Sequence, residues 1–160
     1  MINIIPVGIQ HLQNIHPLTV HFPIAFLIGA TLFYFLALIF KKESFAYTGF
    51  SMLILGVLSA GIAVSAGLYA ETGVMVSRSV RANLLEPHED LMLITFGISI
   101  ILVIWSLIYR PFPKKGRIIF ILLLLAMLAV MGLGADYGAR MVYDYNAGGN
   151  ACSQPIEFTK

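Results

Sequence analysis

Four long apolar runs separated by short polar turns set the pattern of this chain. They extend from about Leu18 to Phe40, Ala46 to Ala70, Leu91 to Tyr109 and Ile118 to Ala135, and the last helix is expected to continue toward Tyr143. Crossing a hydrocarbon layer ~30 Å thick takes roughly 20 helical residues, and each run is about that long. In lipid each run must satisfy its own backbone hydrogen bonds, so each must be a helix. The pattern predicts an all-α integral membrane four-helix up-down bundle over 18–143. An N-terminal arm, 1–17, precedes it and a C-terminal tail, 144–160, follows. Within the arm, the short, mildly amphipathic segment Ile4–Ile15 is expected to lie along the interface.

Composition agrees. Of 160 residues, 59% are hydrophobic and 11% charged, against about 25% charged in soluble domains. A net charge of +2 gives no reason to expect nucleic acid as a partner. The single cysteine, Cys152, excludes an internal disulfide. It sits in a glycine-rich tail and reads as an inert or lipid-proximal thiol. No CxxCH occurs, which removes the usual signature of covalently attached haem. No Lys or Arg precedes Lys41, so no cleaved signal peptide is expected at this start.

The turns differ in charge. Lys41 and Lys42 stand between the first two runs, and Arg110, Lys114, Lys115 and Arg117 between the last two. The opposite side holds Arg78, Arg81 and Arg140, with Lys160 far from any span. The positive-inside rule puts the two lysine-rich turns in the cytoplasm. The expected setting is the inner (cytoplasmic) membrane of a bacterium, multi-pass, with both termini periplasmic. His16, His21 and His88 then share one rim with Glu71, Arg78, Arg81, Asp136, Arg140 and Asp144. The chain also carries a faint internal repeat, in which His21 and His88 each head an apolar run that ends at a basic turn. Any four-helix up-down bundle would show a similar outline.

Ionisable groups at a membrane edge are functional candidates. His11 reads as a surface residue of the arm. His16 precedes Pro17, a good first helical position, so capping would explain it. Pro23 cannot donate to Thr19, so the first helix is expected to start or kink there. Five helical steps would set His16 and His21 about 140° apart, so only one of the two is expected to face inward, opposite His88. One inward imidazole on each of two helices is the arrangement that holds haem b between two axial nitrogens. His21 and His88 are the first choice as haem-iron ligands, with His16 as the substitute. A flat slot needs small residues, and Gly56, Ala60, Ala63 and Gly67 form one helix face, as do Ala129, Gly132, Ala135 and Ala139. Such stripes also let bare helices approach closely. Arg78, Arg81 and Arg140 are candidate partners for haem propionates, or for nearby carboxylates and lipid phosphates. A zinc or copper site from the three histidines with Glu89, Asp90 or Asp136 is a rival, without HxxxH or HExxH spacing to support it. No nucleophile elbow or base–orienter pair is present. The aromatic residues of the first and third runs read as core filling and interface anchors.

The stretch His16-Pro17-Leu18-Thr19-Val20-His21-Phe22-Pro23-Ile24 resembles the HPLxVHFP opening motif of the DUF2231 family of bacterial membrane proteins. Gly67 near the end of the second span, His88 at the head of the third, and the closing segment GLGADYGARMVYDYNAGG, 132–149, agree with it. The resemblance covers residues 15 to 149. It implies the topology above and a likeness to small cytochrome-b-like bundles. Some members are joined to c-type cytochrome domains, which implies electron transfer at the outer face. Ala139 and Arg140 depart from the family's tendency to glycine and an acidic residue there.

The combined expectation is a membrane subunit relaying electrons near the periplasmic face through a bis-histidine haem, with other membrane or periplasmic electron-transfer subunits as partners. A cofactor-free accessory subunit of a larger respiratory or photosynthetic complex is the alternative. A metal-binding membrane protein is the third reading.

Overall fold

The computed structural model describes residues 15–74 and 76–147. The interfacial segment expected at 4–15, His11 and Cys152 therefore lie outside the described residues, Ile15 excepted. The regular structure among these residues is all helical: α1 (Ile15–Thr19), α2 (His21–Phe40), α3 (Glu43–Glu71), α4 (Arg78–Val80), a π-helical turn (Arg81–Leu85), α5 (Glu86–Ile108) and α6 (Arg117–Tyr145). Four stretches are long and apolar enough to cross a membrane: Ile15–Phe40, Glu43–Glu71, Arg78–Ile108 and Arg117–Tyr145. At about 1.5 Å per residue each exceeds the hydrocarbon thickness.

The first span is helical well before Pro23. It is interrupted only at Val20, where the Val20 N–H donates to the His16 carbonyl at 3.1 Å and Ile24 donates to Val20 at 3.4 Å. The Thr19 hydroxyl also donates to the His16 carbonyl, at 3.0 Å. Proline's missing N–H thus shifts the break toward the N-terminus rather than delaying the helix.

Sequential helices pack as hairpins, α2 on α3 and α5 on α6. The ring closes through α3 on α5 and α2 on α6. Their outward faces are apolar: Ile28, Leu32, Leu58, Ile62, Ile101 and Leu122 are all exposed. Inward, no buried side-chain polar atom among the described residues lacks a partner. Thr31 and Thr95 return their hydroxyl protons to the carbonyls of Leu27 and Leu91, at 2.9 and 2.8 Å. That is how a hydroxyl is kept in a dry interior.

The two hairpins repeat one another in the register of burial. Buried Pro23, Leu27, Ala30 and Tyr34 of α2 each stand 72 positions before buried Thr95, Ser99, Leu102 and Ser106 of α5. Buried Gly49, Leu53, Gly56, Ala60 and Ala63 of α3 each stand 71 positions before buried Phe120, Leu124, Met127, Met131 and Gly134 of α6. Helix direction is preserved and the contacts between halves are reciprocal. The halves are therefore parallel repeats about a pseudo-two-fold axis along the bundle. This register corrects the faint repeat expected from sequence. The counterpart of His88 is His16, not His21.

The repeats differ at their turns. The first needs only Lys41 and Lys42, with Lys41 in the left-handed region. In the second, Pro111, Pro113 and Gly116 unwind both helix ends, so α5 stops at Ile108 and α6 starts at Arg117. Gly116 is required there twice over. Its φ is +82°, and a Cβ would lie 3.1 Å from the Trp105 ring.

Candidate functional site

His16 and His88 meet at the rim where α1 and α5 begin. Their ring centres are 6.5 Å apart and their planes cross at 84°. Each is oriented by its own hairpin. His16 Nδ1 lies 3.0 Å from the Ala63 carbonyl oxygen of α3. His88 Nδ1 lies 2.7 Å from the Gly134 carbonyl oxygen of α6. A carbonyl only accepts, so in both rings Nδ1 carries the proton and donates it. In the neutral imidazole Nε2 then holds the lone pair. Orientation of a ring through Nδ1 is the usual second contact of a metal-bound histidine.

One helical turn beyond each carbonyl is a glycine. A Cβ on Gly67 would lie 2.9 Å from Cε1, 3.1 Å from Nδ1 and 3.6 Å from Nε2 of His16. A Cβ on Gly138 would lie 2.9, 3.0 and 3.7 Å from the same atoms of His88. Two imidazoles thus rest in two copies of one socket. The sequence signal was the recurrence of a small residue and, four positions later, a glycine: Ala63/Gly67 and Gly134/Gly138. Gly67 is among the residues expected from sequence; Gly138 and both carbonyls are not.

His21 is exposed on α2, and among the described residues no hydrogen bond or ring contact joins it to His88. Of the two histidines of the HPLTVHFP stretch, His16 is therefore the inward one. The small-residue face on α3 is inward as expected, and it serves helix approach. A Cβ on Gly56 would lie 2.6 Å from Leu27 Cδ2, and one on Gly49 would lie 3.1 Å from the Tyr34 backbone nitrogen. On α6 the expected stripe is on the wrong face. Ala129, Gly132 and Ala135 are exposed. The inward small residues are Gly134, whose Cβ would collide with Met92, and Gly138.

Arg81, in the π-helical turn, is paired with Glu71 at the end of α3. Arg140 is 3.8 Å from Asp144, one turn on in α6, with both side chains about half exposed. Arg78 is exposed, in α4. The Ser77 hydroxyl caps that turn by accepting from the Val80 N–H at 3.2 Å. Val80 and Leu84 bury against Met141, which holds the α3–α5 connection over the end of α6. Among the described residues no three of His, Cys, Asp and Glu gather as a metal-binding group. The three-histidine zinc or copper site therefore finds no support in the geometry.

Comparison with known families decides the relationship. The DUF2231 family, described as a predicted membrane protein, matches residues 12–151. The chain belongs to the DUF2231 family. Comparisons with curated proteins and with solved structures find no match. With four apolar spans, this DUF2231 member is a multi-pass membrane protein. The matched region contains both histidine sockets.

Proposed function

We propose that this DUF2231 protein is a b-type-cytochrome-like subunit that relays single electrons through haem b held between His16 and His88. The observation that carries the reading is the paired socket. Two imidazoles in equivalent positions, each with Nδ1 committed to a carbonyl, leave two Nε2 atoms able to serve as ligands. Haem iron needs only two ligands from protein, because the macrocycle supplies the other four. His16 and His88, whose ring centres are 6.5 Å apart, would hold the group from the two halves of the bundle. The halves also pack on each other less extensively than the helices within each half, and the histidine pair straddles that seam. When bound, haem would supply a one-electron couple, with both histidines engaged in holding it.

The charge of the turns favours an orientation with Lys41, Lys42 and the 110–117 turn in the cytoplasm. The histidine rim then faces the periplasm of the inner membrane, and its partners are electron-transfer proteins of the membrane or periplasm. Arg78 is the propionate partner of first choice among the three arginines. Arg81 and Arg140 would have to leave Glu71 and Asp144. A reduced-minus-oxidised absorption spectrum of the purified protein tests the reading. A b-type α-band that is lost in both His16→Ala and His88→Ala, and kept in His21→Ala, is the expected result. A band that survives both substitutions overturns the pair.

A second reading has its own support. Each histidine already satisfies Nδ1, and an edge-to-face contact of two rings is stable without a ligand. In a cofactor-free accessory subunit the pair would clasp the two hairpins together. A colourless protein that cannot be reconstituted with haem, and that loses thermal stability equally in the two alanine variants, supports this reading.

A further inference from the structure

The end of the bundle away from the histidines carries a second feature, independent of any cofactor. Unwinding of the α5–α6 turn opens a groove of about 600 Å³ lined by Trp105, Tyr109, Arg110, Lys114 and Lys115 with neighbouring aliphatic residues. Its lining is mostly apolar and includes three cations. The turn from Tyr109 to Arg117 contains no acidic residue. The cations are not spent on carboxylates either, since no ion pair of theirs occurs among the described residues.

Two arginines are set by aromatic faces. The Arg110 guanidinium stands 5.5 Å from the Phe50 ring centre. Arg117 stands 5.2 Å from that of Phe112 and donates from Nε to the Pro113 carbonyl at 3.1 Å. Tyr34 donates its hydroxyl proton to the Pro111 carbonyl at 3.0 Å, which fixes the turn to the core. The groove is therefore built into the fold. The equivalent turn of the first repeat, Lys41–Lys42, is a tight two-residue link between helices. It has charge and no comparable unwinding.

We propose that this groove binds the phosphate headgroup of one anionic phospholipid, with an acyl chain against Trp105 and Ile108. Charge complementarity selects the phosphate, the aromatic pair suits the depth where headgroup meets chain, and the apolar lining takes the hydrocarbon. A soluble phosphate would use the same cations and leave that lining uncovered.

Trp105 is the only tryptophan, so its fluorescence reports this groove. Full-length protein in phosphatidylcholine vesicles would receive equal small fractions of brominated phosphatidylglycerol or brominated phosphatidylcholine. The expected result is stronger quenching by the brominated phosphatidylglycerol. The preference should fall about fivefold for each cation removed in Arg110→Gln, Lys114→Gln or Lys115→Gln, as about 1 kcal/mol per cation implies. Lys41→Gln with Lys42→Gln removes charge at the same end but outside the groove, and should leave the preference unchanged. Equal loss in both sets would mean a diffuse surface attraction and overturn the proposal. So would relief of quenching by inorganic phosphate beyond that given by sulfate at matched ionic strength, which would identify a soluble-anion site.

Discussion

Tyr34 and Ser106 are each other's counterparts in the two repeats, and they are hydrogen bonded to each other at 3.0 Å. Tyr34 uses its single proton on the Pro111 carbonyl, so Ser106 is the donor between them. His16 and His88, also counterparts, meet at the other rim. The pseudo-two-fold axis is thus marked near both ends by a pair of equivalent side chains in contact. At one end the pair has diverged in chemistry and is buried. At the other it has stayed histidine in both copies.

Gly67→Ala and Gly138→Ala test the two sockets as equivalents. Each added Cβ would come within 2.9 Å of its histidine Cε1, so ring or helix must move. Each substitution is expected to destabilise by about 1–3 kcal/mol, by similar amounts in the two copies. Thermal unfolding in detergent would read this. An effect confined to one glycine would show that the sockets differ in the folded protein.

Tyr34 predicts an asymmetry at the opposite end. Tyr34→Phe keeps the ring against Phe112 and Phe120, whose centres are 5.1 and 4.9 Å away, but strips both hydroxyl bonds. The Pro111 carbonyl is left without its donor in a buried site, at a cost of about 1–3 kcal/mol. Ser106→Ala leaves that carbonyl paired and is expected to cost less. Chemical denaturation of the two variants gives the order, and a greater loss for Ser106→Ala would contradict the assigned donors.

The number of spans, their order and the shared rim were legible in sequence, because each depends on long apolar runs and charged turns. The repeat was legible only in outline. Aligned positions pair Pro23 with Thr95, Leu27 with Ser99 and Tyr34 with Ser106, so burial is kept while residue type is not. His21 stands closer than His16 to the apolar run that ends at Lys41, and that drew the register away. The α6 stripe failed for a different reason. When a helix is apolar all round, several small-residue phases coexist, and hydrophobicity cannot choose the inward one. The π-helical turn before His88 has no local signature in the sequence; in the fold its Leu84 packs with Val80 and Met141.

The Glu71–Arg81 pair joins the end of α3 to the connection that leads into His88. Both side chains are partly solvated, so Glu71→Gln or Arg81→Gln is expected to cost under about 1 kcal/mol of global stability. The local effect should be larger. Val80 and Leu84 carry the docking of this connection, and the ion pair holds its other side. Limited proteolysis within 72–85 is expected to accelerate in either variant, with the α2–α3 hairpin protected. Unchanged cleavage would show that the apolar contacts alone hold the segment.

Gly132 and Gly134, two residues apart on α6, should respond to the same substitution with opposite signs. A Cβ on Gly132 meets nothing within 4 Å, whereas one on Gly134 meets Met92 and comes 3.0 Å from Leu91 Cβ. Gly132→Ala removes only the helix penalty of glycine and should stabilise by about 0.5–1 kcal/mol. Gly134→Ala wedges α5 from α6 beside the carbonyl that orients His88, and should destabilise. If haem is bound, it should also shift or weaken the α-band, which Gly132→Ala should leave alone. Unfolding curves with spectra on the same samples separate the cases. The reverse order of stabilities would mean that α6 turns its other face to the bundle, and with it that the Gly134 carbonyl does not hold His88.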